Sequence, residues 1–203
     1  MNPLHDRILE ISRKHKLSHL GSCLTAVDII DEIYRIKKSD EKFVLSCGHA
    51  GLALYVVLEN RWGWDAEDLF ALHGVHPCRD KVIDCSTGSL GQGLPIALGM
   101  AMADRSKNVY CLISDGEASE GTIWETANVM RKYKVENLKV YCNWNGWGAY
   151  DKTDKTVNLM LQIMVPNIRM IETDVTHYGF TGQEAHYVQA HGGIVNNSQI
   201  PTH

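Results

Sequence analysis

The sequence has no apolar run of the roughly 18–20 residues that a bilayer crossing takes, so no membrane span is expected. No basic run stands out either. The formal charge is −4 and the isoelectric point is near 6.2, which leaves no electrostatic footprint for a nucleic-acid partner. None of the six cysteines (Cys23, Cys47, Cys78, Cys85, Cys111 and Cys142) is in a Cys-x-x-Cys pair. Scattered through apolar segments, they read as reduced, mostly buried thiols of a cytoplasmic protein rather than a disulfide framework. The opening stretch "MNPLHDRILEISRKHKLSH" carries Asp6 and Glu10 on an amphipathic pattern, unlike a signal peptide. On that pattern His5 and His15 lie on or near a solvated helix. Repeats and low-complexity tracts are missing as well.

What remains is a chain of 203 residues, 44% hydrophobic and 22% charged, enough for one domain with a sizeable core. Helical periodicity covers 4–16 and 26–37; in the second stretch Val27, Ile30, Ile33 and Tyr34 share a face and Thr25 is placed to cap the start. "KFVLSC" reads as a strand ending at Gly48-His49-Ala50-Gly51, followed by an apolar helix. Asp65 caps a short helix over 65–72, and residues 73–93 form a long loop bearing Gly, His and Pro, a length that often marks function. "LPIALGMAMAD" is a small-residue helix, "NVYCLIS" a buried strand, "ETANVMRKY" a helix and "NLKVYCN" another strand. After Asp151 the pattern weakens until "NIRMIET", a last strand. The Gly-rich polar tail from Thr176 is expected to be peripheral and partly flexible. Strands alternating with helices predict a three-layer α/β/α fold with a mostly parallel sheet.

In such sheets ligands bind beyond the carboxyl ends of the strands. Asp115 and Asn145, thirty positions apart, both fall where a strand runs out. A carboxylate and an amide oxygen are hard ligands suited to Mg²⁺ or Ca²⁺, and phosphate oxygens of a diphosphate would complete the shell. Asp115 can equally cap a turn, and Asn145 can take a left-handed turn before Gly146. "STGSLGQG" sets Gly88, Gly91 and Gly93 ahead of a helix, so that backbone can approach a ligand closely or the helix can pack tightly. Its spacing is not the dinucleotide fingerprint. His19, His49, His73 and His76 lie in or beside glycine-bearing turns, as imidazoles facing an oxygen-rich substrate would.

Taken in order, these segments resemble the N-terminal, diphosphate-binding half of the transketolase family. "SHLGSCLTAVDII" is similar to the family's Ser-Gly-His-Pro-Gly segment and its helix. "KFVLSCGHAGLALYVVL" resembles the strand and Gly-His turn, and "STGSLGQGLPIALGMAMA" resembles Thr-Gly-Pro-Leu-Gly-Gln-Gly. "SDGEASEG…NWNG" is similar to the thiamine diphosphate signature running from Gly-Asp-Gly to Asn-Gly. The likeness covers about residues 1–150 and departs from the pattern in places. Ser114 replaces the signature's first glycine, while Leu20 and Ser89 stand where prolines are usual. The insertion before the Asp115 strand is nearly absent, and a later cofactor-contacting histidine has no counterpart.

The resemblance implies a thiamine diphosphate-binding domain over residues 1–175, with 176–203 as a tail. It implies Mg²⁺ (or Ca²⁺) held by Asp115, Asn145 and the Trp147 carbonyl, and thiamine diphosphate contacted by His49, Gly88, Ser89, Leu90, Gly116 and Glu117. It implies His19, His49 and His76 around the reactive carbon and the sugar oxygens. Glu120 falls in a polar link at a dimer interface, although a glutamate in the first turn of a helix is also favoured by the helix dipole. The activity implied is transfer of a two-carbon ketol unit between sugar phosphates. The family's activating glutamate belongs to a pyrimidine-binding domain that these residues do not match, so a separate pyrimidine-domain subunit is expected, in a homodimer-based or heterotetrameric assembly. A deoxyxylulose phosphate synthase-like enzyme and a non-catalytic binding protein are the alternatives.

Overall fold

The computed structural model describes residues 2–148, 151–174 and 176. Helices α1 (Pro3–His15) and α2 (Leu20–Ile36) lead into strand β1 (Lys42–Leu45). A single helical turn, Gly48–Ala50, then leads into α3 (Gly51–Trp62), which is followed by α4 (Ala66–His73) and, past a loop, α5 (Gly93–Ala103). Strand β2 (Val109–Ser114) runs into a tight turn at Asp115–Ser119 and then α6 (Gly121–Tyr133). Strand β3 (Leu138–Trp144), α7 (Lys155–Met164) and β4 (Arg169–Glu172) complete the described chain. The strands form one parallel sheet in the order β1-β2-β3-β4.

Alternation along each strand divides the core in two. Phe43, Leu45, Tyr110, Leu112 and Tyr141 pack with α1–α4 on one face. Val44, Val109, Cys111, Ile113, Val140 and Cys142 pack with α5, α6 and α7 on the other. Because both faces are covered, β2 is buried at every position, and its sequence is a continuous apolar run rather than an alternating one. All six cysteines are free, five buried and Cys78 exposed.

Local signals account for some helix ends. Asn2 accepts a hydrogen bond from Leu4 N with Pro3 in the first turn, and Asp65 accepts from Glu67 N and Asp68 N. Three expectations need correction. Helix α2 begins at Leu20, not 26, so Thr25 lies inside it and donates its hydroxyl to the carbonyls of Gly21 and Ser22. Leu20, Cys23 and Leu24 are buried, carrying the packed face more than a turn earlier than the cap reading allowed. Helix α6 likewise starts at Gly121, four residues before the expected Glu125. Helix α7 was not anticipated. Asp154 caps it through Thr156 N, and of its apolar residues only Leu161 is buried while Leu159, Met160 and Ile163 are exposed. The tail expected to be peripheral lies, from residue 177 on, outside the described residues.

Candidate cofactor site

Strand register brings the two oxygen-bearing turns together. Ser114 pairs with Asn143 at the ends of β2 and β3, so the chain leaves both strands side by side at Asp115 and Asn145. Asp115 is 1% exposed. Its Oδ2 accepts from Gly146 N (2.9 Å) and Thr153 Oγ1 (2.6 Å), while the buried Oδ1 has no hydrogen-bond partner. Burial raises the Asp115 pKa to about 6 against the pull of these donors. An uncompensated carboxylate oxygen of this kind is the feature a cation satisfies.

Asn145 Oδ1 accepts from Trp147 N at 3.0 Å, and Gly146 takes the left-handed φ of 81° that folds this turn back towards Asp115. The turn is then closed by Gly148 N to Asp151 O and Thr153 N to Gly146 O. A methyl group on Gly116 would stand 3.4 Å from Gly148 Cα and 3.7 Å from the Trp147 carbonyl oxygen. The Asp115, Asn145 and Trp147 groups therefore share one small region.

The glycine loop and the histidines lie alongside. The His19 and His49 rings are 5.1 Å apart, both residues are half-buried, and Ser18 Oγ is 2.9 Å from His19 Nδ1. His19 itself is left-handed at φ 61°, which directs the chain into α2. A Cβ on Gly48 would meet Gly88 N and the Thr87 carbonyl carbon at 2.8 Å, so the His49 turn is seated on the glycine loop. Gly88 in turn lies under the His76 ring, which is exposed. A Cβ on Gly91 would come within 2.7 Å of Glu120 Cβ. The structure thus brings together His19, His49, His76, Gly88 and the adjoining Ser89 and Leu90, and places Glu120 against the same loop.

Three placements expected from the sequence shift. They concern Glu117, Glu120 and the remaining histidines. The Glu117 carboxylate is turned inward with no exposure and accepts from Ser46 Oγ, Gly91 N and Ser114 N, leaving only its backbone to face a ligand. Burial raises its pKa, with these three bonds opposing the shift. Glu120 precedes α6 as its cap residue instead of sitting in the first turn, and its side chain makes no capping bond. His73 ends α4 with its side chain against the Tyr55 ring and 3.0 Å from Asp80 Oδ2, so it anchors the loop rather than joining the other three imidazoles. His5 is buried on α1 and 3.2 Å from Asp28, not on a solvated face as the amphipathic pattern had placed it.

Sequence reasoning missed Thr153, which steadies Asp115, and Asn143. Buried Asn143 donates to Thr25 Oγ1 and accepts from Thr173 Oγ1, tying α2 to the end of β3. The inward role of Glu117 did have a signal, because Ser114-x-x-Glu117 is the spacing at which a glutamate reaches back to a backbone N–H.

Helices on both faces of a parallel sheet, with polar groups gathered beyond the carboxyl ends of its strands, define an α/β cofactor-binding domain. Within that class, the family described as "Transketolase, thiamine diphosphate binding domain" matches residues 10–158, and the chain belongs to it. Human transketolase is 36% identical over 155 residues, covering 66% of this chain and 25% of that protein. One subunit of the apulose-4-phosphate transketolase of Phocaeicola vulgatus is 30% identical over 174 residues, covering 75% of this chain and 62% of that one. The crystal structure of transketolase from Campylobacter jejuni superposes with a TM-score of 0.70 over 84% of this chain and 36% of that one, at 20% identity, a likeness of fold. The chain spans about a quarter of the length of the human enzyme. Among the described residues no helix is long and apolar enough to cross a membrane.

Proposed function

We propose that this chain is the diphosphate-binding subunit of a thiamine diphosphate- and Mg²⁺-dependent transketolase. It works with a pyrimidine-domain subunit to move a two-carbon ketol unit between sugar phosphates. The observation that carries the reading is the buried, unpartnered Oδ1 of Asp115, set beside Asn145 and the Trp147 carbonyl at the ends of adjacent parallel strands. The relative from Phocaeicola vulgatus, named as one subunit of a transketolase, supports the division into chains.

The donor set fits Mg²⁺, with one carboxylate, one amide oxygen and one carbonyl leaving room for diphosphate oxygens and water; Ca²⁺ takes the same donors. In this reading Asp115, Asn145 and the Trp147 carbonyl hold the ion, and Gly116 meets the diphosphate through its amide. Gly88, Ser89 and Leu90 line the aminopyrimidine by backbone groups. Bound thiamine diphosphate supplies the carbanion chemistry. The chain's own contribution is to hold the diphosphate, to keep His19, His49 and His76 within reach of sugar oxygens, and to move protons at their ring nitrogens. Glu120 belongs to a polar link across a dimer interface.

Calorimetric titration with thiamine diphosphate and Mg²⁺ tests the reading against NADH as the contrasting ligand. Binding that needs Mg²⁺, with none of NADH, is expected; tight NADH binding without uptake of thiamine diphosphate overturns it. In the assembled enzyme, His49→Ala and His76→Ala are each expected to lower turnover at least about tenfold, with little change in melting temperature. His15→Ala is the control, because His15 is an exposed residue at the end of α1, bonded to Glu67. Equal, small losses in all three variants would mean that the imidazole cluster is not the sugar pocket.

A further inference from the structure

The loop between α4 and α5 carries His76 and Gly88 to Leu90 yet has no regular structure of its own. Several of its hydrogen bonds stay inside it, such as Thr87 N to Pro77 O and Arg79 N to Ser86 Oγ. Its approach to the Asp115 turn depends on a contact that crosses the site. Glu117 Oε1 accepts from Ser46 Oγ at 2.6 Å and from Gly91 N at 2.8 Å, while Oε2 accepts from Ser114 N at 2.9 Å. Ser46 lies just past β1 and three residues before His49. Gly91 closes the glycine loop, and Ser114 precedes Asp115.

One fully buried carboxylate therefore joins the three segments that carry the imidazole turn, the glycine loop and the acidic turn. The surroundings leave it little freedom. Gly91 holds φ 78°, and a Cβ there would clash with Thr122 Oγ1 at 2.5 Å, while Thr122 Oγ1 donates to Gly91 O. A Cβ on Gly93 would meet Ser46 Cα at 2.5 Å.

We propose that Glu117 is a positioning residue whose inward carboxylate fixes the His49 turn, the glycine loop and the Asp115 turn relative to one another, and so sets the width of the cofactor cleft. The inference rests on the thiamine diphosphate reading above, and it assigns Glu117 a role through its neighbours instead of through contact with the ligand. The chemistry requires a carboxylate. Three donors converge on two oxygens, and only an acceptor-only group satisfies all of them. In Glu117→Gln the amide NH₂ must face either Ser114 N–H or the Gly91 and Ser46 donors, so one buried donor loses its acceptor and the loop or the turn shifts.

The test compares Glu117→Gln and the milder Ser46→Ala with the wild-type chain, at a temperature where all are folded by circular dichroism. Leu58→Ala, a core change on α3 away from the site, serves as the control for lost stability. Affinity for thiamine diphosphate with Mg²⁺ is read by calorimetry, and amide exchange is read at Gly91 and Ser114. Glu117→Gln is expected to weaken binding about tenfold or more, in the range seen when a partner of a ligand-holding group is removed, and to speed exchange at both amides. Ser46→Ala should show a smaller loss in the same direction, and Leu58→Ala should bind as the wild type does. Unchanged affinity in folded Glu117→Gln overturns the proposal, as does an equal loss in Leu58→Ala. If the wild type takes up no thiamine diphosphate, the functional reading fails, and the exchange rates alone decide whether Glu117 holds the loop.

Discussion

Asp115→Asn will raise the melting temperature of the cofactor-free chain and, in the same protein, weaken Mg²⁺-dependent binding of thiamine diphosphate by orders of magnitude. The stabilisation follows from a carboxylate buried to 1% exposure whose Oδ1 meets no donor. Its pKa is raised from 3.8 to about 6, chiefly by burial. With the folded value above the unfolded one, the folded state binds the proton more tightly. The carboxylate therefore costs nothing below about pH 4, and stability falls as pH climbs from about 4 to about 6; at pH 7 the full cost is about 3 kcal/mol. An amide keeps one oxygen for Gly146 N and Thr153 Oγ1 but carries no charge, so that loss disappears. For a chain of this size each kcal/mol moves the midpoint by roughly 2–4 °C. Binding is expected to move the opposite way, because the proposed Mg²⁺ site loses the one carboxylate assigned to it and the diphosphate charge stays uncompensated. Asn145→Ala should share the loss of binding without the gain in stability. Thermal scans at pH 4, 6 and 7 with paired calorimetry check both halves. A substituted chain that binds cofactor unchanged would falsify the metal assignment, and one less stable than the wild type at pH 7 would overturn the burial cost assigned to Asp115.

The ease of reading the Asp115–Asn145 pair from sequence has a physical cause. Strand β2 is buried at every position and β3 at all but Lys139 and Trp144, each runs into a polar turn, and parallel strands in register must bring such ends together. Gly146, Gly88 and Gly91 were legible for a related reason, since positive φ values of 81°, 154° and 78° select glycine. What stayed hidden depends on contacts distant in sequence. Nothing local marks Thr153 as a donor to Asp115 across 38 residues, or Asn143 as bonded to Thr25 across 118. Helix α7 was passed over although its signals were local: Asp154 caps it, and Val157, Met160, Leu161 and Met164 recur at helical spacing. Helix α2 was read short because Thr25, a good cap by residue type, is held inside the helix by its bond to Gly21 O. His5 read as lying on a solvated helix, whereas what packs over α1 buries it.

Alone, this 203-residue chain is expected to show no transketolase turnover with thiamine diphosphate, Mg²⁺ and a ketose phosphate, and mixing with a pyrimidine-domain chain should restore it. In the proposed reading Asp115, Asn145 and the glycine loop form the diphosphate side of a cleft. That reading leaves the opposite side to a partner. Ser89 and His76 are exposed at its rim, Glu120 is half-buried beside Gly91, and Ile96, one turn into α5, is 40% exposed. A partner covering that rim would desolvate the aminopyrimidine and supply the activating carboxylate implied by the family resemblance. Cofactor affinity should therefore rise together with activity on mixing. The family resemblance makes a homodimer the expected resting state and a heterotetramer with two partner chains the active one. Sedimentation velocity of the chain, of the partner and of the mixture follows the assembly, while a coupled assay for ketol transfer follows turnover. Full activity from the purified chain without a partner sinks the division of labour. Normal heterotetramer formation with cofactor bound but no turnover on any ketose phosphate would instead make this a binding protein built on a transketolase scaffold.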